Sequence, residues 1–264
     1  MNSPTSIKHA FLPWADHLIA NSQAVAQSYL QYRNTPKKVT VIYNGVDLAQ
    51  YVPQKEDYFR TQMGISAETF LLGIVGRVLA NKGHHILVQA LTQVHRAGID
   101  SCLAIIGPTE SCPGDTYQLD RMYLADLKKM ITELGLAEKV IFCGPQRNMP
   151  AVYHALDVLV LPSIQEPFGR TLIEAMAAER PVIASAAGGL LEVVEANVTG
   201  LLVPPGDPQQ LAEAILTIAY DREMARQMGK EGRKRVERLF TIQQNVAKTE
   251  ALYQQVLGQH EIAV

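Results

Sequence analysis

The run Pro162-Ser163-Ile164-Gln165-Glu166-Pro167-Phe168-Gly169-Arg170-Thr171-Leu172-Ile173-Glu174-Ala175-Met176-Ala177 sets two carboxylates around a strand-to-helix turn. A strand is expected to end at Leu161 and a helix to open near Gly169, with Glu174 about one turn into it. Both glutamates can then face one crevice. A carboxylate accepts two hydrogen bonds from a vicinal diol, in a sugar ring or a ribose. Backbone N–H groups of Phe168, Gly169 and Arg170, at the helix start with Thr171, would point at a ligand phosphate with the helix dipole behind them. The bland alternative is that Glu166 caps the helix and Glu174 is solvated.

A second group is Gly76-Arg77-Val78-Leu79-Ala80-Asn81-Lys82-Gly83. Two cations in a glycine-bounded loop after a strand suit a diphosphate, Arg77 as a planar fork and Lys82 as a compact charge. The alternative is a pair of solvated surface cations. The glycine and lysine order of a P-loop is absent, and no Gly-x-Gly-x-x-Gly run follows a strand.

The elements that must position these groups are short apolar runs alternating with amphipathic ones. Strands are expected at Val39 to Ile42, Phe70 to Val75, Cys102 to Ile106, Val140 to Phe142, Val158 to Leu161, Val182 to Ala184 and Gly200 to Val203. Helical patterns cover His84 to Ala97, Leu119 to Leu134, Ala151 to Leu156, Thr171 to Ala178 and Gln209 to Tyr220. This alternation predicts an α/β fold, a Rossmann-like parallel sheet with helices on both faces, plus helical ends. Ligands of such sheets bind beyond the carboxyl ends of the strands, where every connecting loop here carries glycine.

The composition excludes several classes. At 264 residues, 47% hydrophobic, 19% charged and with a net charge of -2, the chain is not a generally cationic nucleic-acid binder. Cys102, Cys112 and Cys143 suit neither a disulfide framework nor a zinc site, so a reducing, cytoplasmic location is expected. Peripheral contact with the inner membrane is left open, but no run approaches the ~20 apolar residues of a membrane span. His84 and His85, opening a helix, read as surface or capping residues. Glu110 to Gln118 reads as a long flexible loop beside the site, and Trp14, Tyr29 and Tyr32 as packing residues.

The ordered motifs resemble the retaining glycosyltransferases of group 1 (family 4), which have the two-domain GT-B fold. Asn44-Gly45-Val46-Asp47 looks like the lead into that family's C-terminal domain, and Gly76-Arg77 with Lys82-Gly83 like its diphosphate clamp. Glu166-Pro167-Phe168-Gly169 followed by Glu174-Ala175-Met176-Ala177 looks like its paired-glutamate motif. Gly188-Gly189, Glu192-Val193-Val194 and Gly200-Leu201-Leu202-Val203-Pro204-Pro205-Gly206-Asp207 resemble the block that follows.

The resemblance implies a nucleotide-sugar-dependent, hexosyltransferase-type enzyme that retains anomeric configuration. Arg77 and Lys82 would neutralise the donor diphosphate as the sugar leaves, and Glu166 would hold the sugar hydroxyls near Phe168 and Gly169. Glu174 would hold the ribose, while the loop Gly144-Pro145-Gln146-Arg147 would border the base. The resemblance implies no metal and no cofactor beyond the donor, a nucleoside diphosphate sugar.

It also implies an order of domains. Residues 1–37 would be a remnant of an N-terminal acceptor domain, with Trp14 to Ser22 like its last strand and helix start. Residues 38–238 would be the donor domain, and residues 239–264 a helix crossing back. The expected partners are the nucleotide sugar, an unknown acceptor and either the rest of the N-terminal domain or a second copy. A binding module without transferase activity of its own is the competing reading. An epimerase of similar architecture lacks specific support.

Overall fold

The computed structural model describes residues 15–31, 38–52, 58–109 and 117–261. Trp14, Tyr32, Cys112 and most of the 110–118 loop lie outside them. The first described elements are β1 (Leu18–Ala20), α1 (Gln23–Leu30) and β2 (Val39–Val41), whose strands pair in parallel in a separate ladder. After α2 (Tyr58–Met63) the main sheet begins with β3 (Phe70–Val75). It continues through α3 (His84–Arg96), β4 (Ser101–Ile106), α4 (Tyr117–Glu133), β5 (Val140–Gly144), α5 (Met149–Ala155) and β6 (Val158–Leu161). Then follow α6 (Arg170–Ala177), β7 (Val182–Ser185), α7 (Leu190–Val193), β8 (Gly200–Val203), α8 (Pro208–Tyr220), α9 (Arg222–Leu239) and α10 (Ile242–Glu261).

All six main strands are parallel, in the order β5-β4-β3-β6-β7-β8. Their apolar runs are continuous because both faces are covered. Leu71, Cys102, Ala104, Leu159 and Ala184 face one layer with Tyr153, Leu172 and Val236. Phe70, Leu72, Leu103, Val160 and Ile183 face the other with Leu87, Leu91 and Ile215. Gly73 admits the Leu156 side chain, which would stand 2.3 Å from a Cβ there.

At the amino ends of the strands one buried cation ties α2 to the sheet. Arg60 donates to the carbonyls of Ala155 (2.9 Å), Ser66 (2.8 Å) and Thr69 (2.9 Å), and to Asp157 Oδ2 (2.8 Å). Asp157 also accepts from the Leu71 N–H at 2.7 Å and from Arg222 at 3.0 Å. The backbone groups of the α2–β3 turn are thus satisfied by one planar fork.

Among the described residues, the β1–α1–β2 unit and the segment just after it meet later parts of the chain at Glu192 and at a crossing near Val46. Glu192, in α7, accepts from the Gln23 N–H (2.8 Å), the Ala24 N–H (2.9 Å) and the Tyr43 hydroxyl (3.0 Å). Beside it, the chain crosses itself: Val46 N–H donates to Phe240 O and Ile242 N–H to Val46 O. A Cβ at Gly45 would lie 2.4 Å from the Thr241 carbonyl oxygen, so only glycine fits the crossing. Tyr43, Phe168 and Phe240 pack together there with ring centroids 5.4–5.8 Å apart, Tyr43 stacked on Phe168 and Phe240 edge-on to both.

A carboxylate on a helix N-terminus satisfies orphan donors, so Glu192→Ala is expected to loosen α1 by about 1–2 kcal/mol. Hydrogen exchange at the Gln23 and Ala24 amides checks this. Unchanged protection would show that the contact holds nothing. Among the described residues no helix is long and apolar enough to cross a membrane.

Candidate functional site

The order of the sheet reverses between β3 and β6, and in such sheets the carboxyl ends at this switch point are where a ligand crevice is expected. Of the glycine loops in the sequence, this singles out two: residues 76–83 after β3 and residues 162–169 after β6. They are fastened to each other. Ile164 N–H donates to Asn81 O at 2.9 Å. Gly83 (φ +74°) lies so close to the Pro162 carbonyl that an added Cβ would stand 2.1 Å from its oxygen. The next loops join the same edge, since Gly76 N–H donates to Ile106 O and Gly107 N–H to Gly144 O.

Across this junction Lys82 Nζ pairs with Glu166 Oε2 at 2.6 Å, and Ser163 Oγ donates to the same oxygen at 3.1 Å. Glu166 is 9% exposed and does not cap the helix. The capping position of α6 is Gly169 (φ +92°), which offers no side-chain cap. The first-turn N–H groups at Arg170 and Thr171 thus receive no side-chain cap from Gly169, an arrangement suited to an anion.

Glu174, also 9% exposed, is not solvated either. Its Oε2 accepts from the Tyr153 hydroxyl at 2.7 Å and its Oε1 from Arg170 Nε at 2.9 Å. The site thus presents two largely buried carboxylates, a lysine between loops and an uncapped helix start. That arrangement can grip hydroxyls at two points and an anion between them.

Other expected site residues are less engaged. Arg77 is exposed and bonds to no described side chain, and Arg147 is likewise exposed. Gln146 turns its amide back to the Cys143 carbonyl at 2.7 Å. Phe168 is buried in the Tyr43–Phe240 cluster, so its side chain serves packing and only its backbone borders the crevice.

The expectation that His84 lies at the surface is wrong. His84 is 1% exposed, and among the described residues neither ring nitrogen has a partner at hydrogen-bond geometry. Burial lowers its pKa to about 4, so it is neutral beneath the Lys82 loop. His85, half-buried, meets the Tyr123 hydroxyl at 2.9 Å.

Two functional partners were missed by sequence reasoning. Ser163 stood inside the informative run, three residues before Glu166. Tyr153 lies on a different helix, in an apolar pattern that signals burial and not a partner.

Comparison with known proteins shows the family. The profile described as Glycosyl transferases group 1 matches residues 55–235, and that of Glycosyltransferase Family 4 matches residues 5–50. The D-inositol 3-phosphate glycosyltransferase 1 of Catenulispora acidiphila is 34% identical over 216 residues, covering 80% of this chain and 51% of that protein. The chain therefore spans about half the length of that curated relative.

The crystal structure of Anabaena HepE with UDP-glucose superposes with a TM-score of 0.86 at 32% identity, over 96% of this chain and 68% of that one. The sucrose-phosphate synthase of Thermosynechococcus elongatus superposes at 0.84 with 33% identity, over 96% and 61%. The six-stranded sheet is that of the Rossmann-like half of the GT-B fold. With the profile match extending across both switch-point loops and both glutamates, the chain belongs to the group 1 glycosyltransferases.

Proposed function

We propose that this chain carries the donor site of a glycosyltransferase that moves a sugar from a nucleoside diphosphate sugar to an acceptor with retention of configuration. The observation that carries the reading is the Lys82–Glu166 pair, set at the switch point beside an uncapped helix start. Lys82 and the α6 N-terminus face the diphosphate, and Arg77 reaches in from solvent to meet charge that builds as the sugar leaves. Glu166, steadied by Ser163, takes sugar hydroxyls, and Glu174 takes the ribose diol. Gly76 and Gly144 let the backbone come close, and Gln146 and Arg147 border the base. Uridine is the first candidate base, because HepE was crystallised with UDP-glucose and resembles this chain over nearly all its length.

The same reading divides the chain in three. Residues 38–238 form the donor domain, residues 1–37 belong with an acceptor domain, and residues 239–264 return towards it. No metal is required for the chemistry, since lysine, arginine and helix amides supply the positive charge.

Titration calorimetry with UDP, GDP and ADP, then with their sugar conjugates, tests the reading. Saturable binding of one nucleotide is expected, weakened about tenfold or more in Glu174→Ala and less in Arg77→Ala. Equal affinity of both variants and wild type would sink the site assignment. The chain spans about half of a curated relative, so a second reading stands beside the first: a donor-binding module that does not transfer by itself. A transfer assay with bound donor separates the two.

A further inference from the structure

Glu174 has one fixed oxygen and one exchangeable one. Oε1 meets Arg170, whose side chain is 69% exposed, in an i,i+4 surface pair of the sort worth about 0.3–0.5 kcal/mol. Oε2 meets the hydroxyl of Tyr153, which is fully buried. The tyrosine ring is held between Tyr51, at 6.2 Å between centroids, and the core of the α5–α6 layer.

A glutamate carboxylate is otherwise poorly fixed. Its last torsion is broad and two-fold, so burial of the stem alone does not aim the oxygens. Burial, and then the Glu174 charge, push the Tyr153 phenol well above its ordinary range, so it remains a donor throughout the working pH range.

The position of Tyr153 in the chain adds a second constraint. It sits on α5, which begins just after Gly144–Arg147 and is capped by Asn148, whose side chain accepts from the Ala151 N–H at 3.2 Å. The loop expected to border the base and the carboxylate expected to hold the ribose are thus connected by one short rigid helix.

We propose that Tyr153 is a positioning residue for nucleotide recognition: its hydroxyl holds Glu174 Oε2 and so aims Oε1 at the vicinal diol of the ribose. The proposal rests on the reading of Glu174 as the ribose ligand. Arg170 is the exchangeable occupant of Oε1, displaced when two ribose hydroxyls donate there. Ribose recognition then depends on a residue that touches no ligand.

The experiment compares UDP with 2′-deoxyuridine diphosphate by calorimetry on the full chain, wild type and Tyr153→Phe. Phenylalanine keeps the ring and its packing, and a melting curve reports whether the variant is folded. Wild type is expected to prefer UDP about tenfold or more, the worth of one charge-assisted hydrogen bond. In Tyr153→Phe the preference is expected to shrink to about threefold or less, because a wandering carboxylate loses the ribose hydroxyl but not the rest of the nucleotide. Tyr153→Met, which removes the hydroxyl from a different frame, is expected to lose the preference too.

A wild-type preference that survives in both folded variants overturns the proposal and leaves the ribose reading standing. No wild-type preference for the nucleotide that binds over its 2′-deoxy form, or no binding of UDP, GDP or ADP, overturns the ribose reading and the proposal together. A packing role alone would lower the melting temperature and leave the ratio untouched.

Discussion

Replacement of Arg60 by alanine is expected to lower the unfolding free energy by about 3 kcal/mol. The side chain is 8% exposed and supplies donors to three carbonyl groups and one carboxylate. Removing it leaves the carbonyls of Ala155, Ser66 and Thr69 without that donor and Asp157 with one cation fewer. Unsatisfied buried polar groups cost about 1–3 kcal/mol each, and relaxation towards water at Asp157, a quarter exposed, recovers part. Arg60→Lys is expected to restore less than half, because an ammonium cannot reach four acceptors that a planar fork spans. Urea unfolding followed by circular dichroism measures both. A loss below about 1 kcal/mol for the alanine variant would show that solvent fills the place of the guanidinium.

The second large effect belongs to Lys82. Lys82→Met is expected to weaken UDP binding about 100-fold while uridine binding changes little. Two terms combine. The diphosphate loses a cation that is only 24% exposed, so solvent screens it less than it screens Arg77. Glu166 loses its ion pair and keeps only Ser163, so an unbalanced carboxylate faces the incoming anion. Calorimetry with UDP, UMP and uridine resolves the two, since the loss should grow with each phosphate. A fall of less than threefold for UDP would place the diphosphate elsewhere.

Much of this was legible in the sequence, for identifiable reasons. β3, β6 and β8 have the bounds read from their apolar runs, because an unbroken apolar run leaves no polar residue to blur the pattern. Helix ends shifted by one or two residues, as at α4 and α5, where capping decides and periodicity does not. The paired glutamates were found because their spacing across a strand-to-helix turn is local.

What escaped was long-range. Strand order is not written in any one segment, so the sequence could name every glycine loop but not the two at the switch point. Tyr153 and Glu174 meet through the tertiary fold, and His84 is buried although a second histidine follows it and Lys82 stands two residues before it. The Asn44-Gly45-Val46-Asp47 motif was recognised without its physical reason, which is the close crossing with Thr241.

The backbone at Gly188 and Gly189 is walled in by the glutamate loop. A Cβ at Gly188 would lie 2.3 Å from the Glu166 carbonyl oxygen, and one at Gly189 would lie 2.2 Å from that of Pro167. Three residues on, Glu192 grips the first amides of α1. Sequence drift is therefore filtered twice here, since a residue that suits the glutamate loop must also suit the small β1–α1–β2 unit. A genetic screen for either property would gather variants in the other, and a change that frees one neighbour would arrive with a compensating change in its opposite.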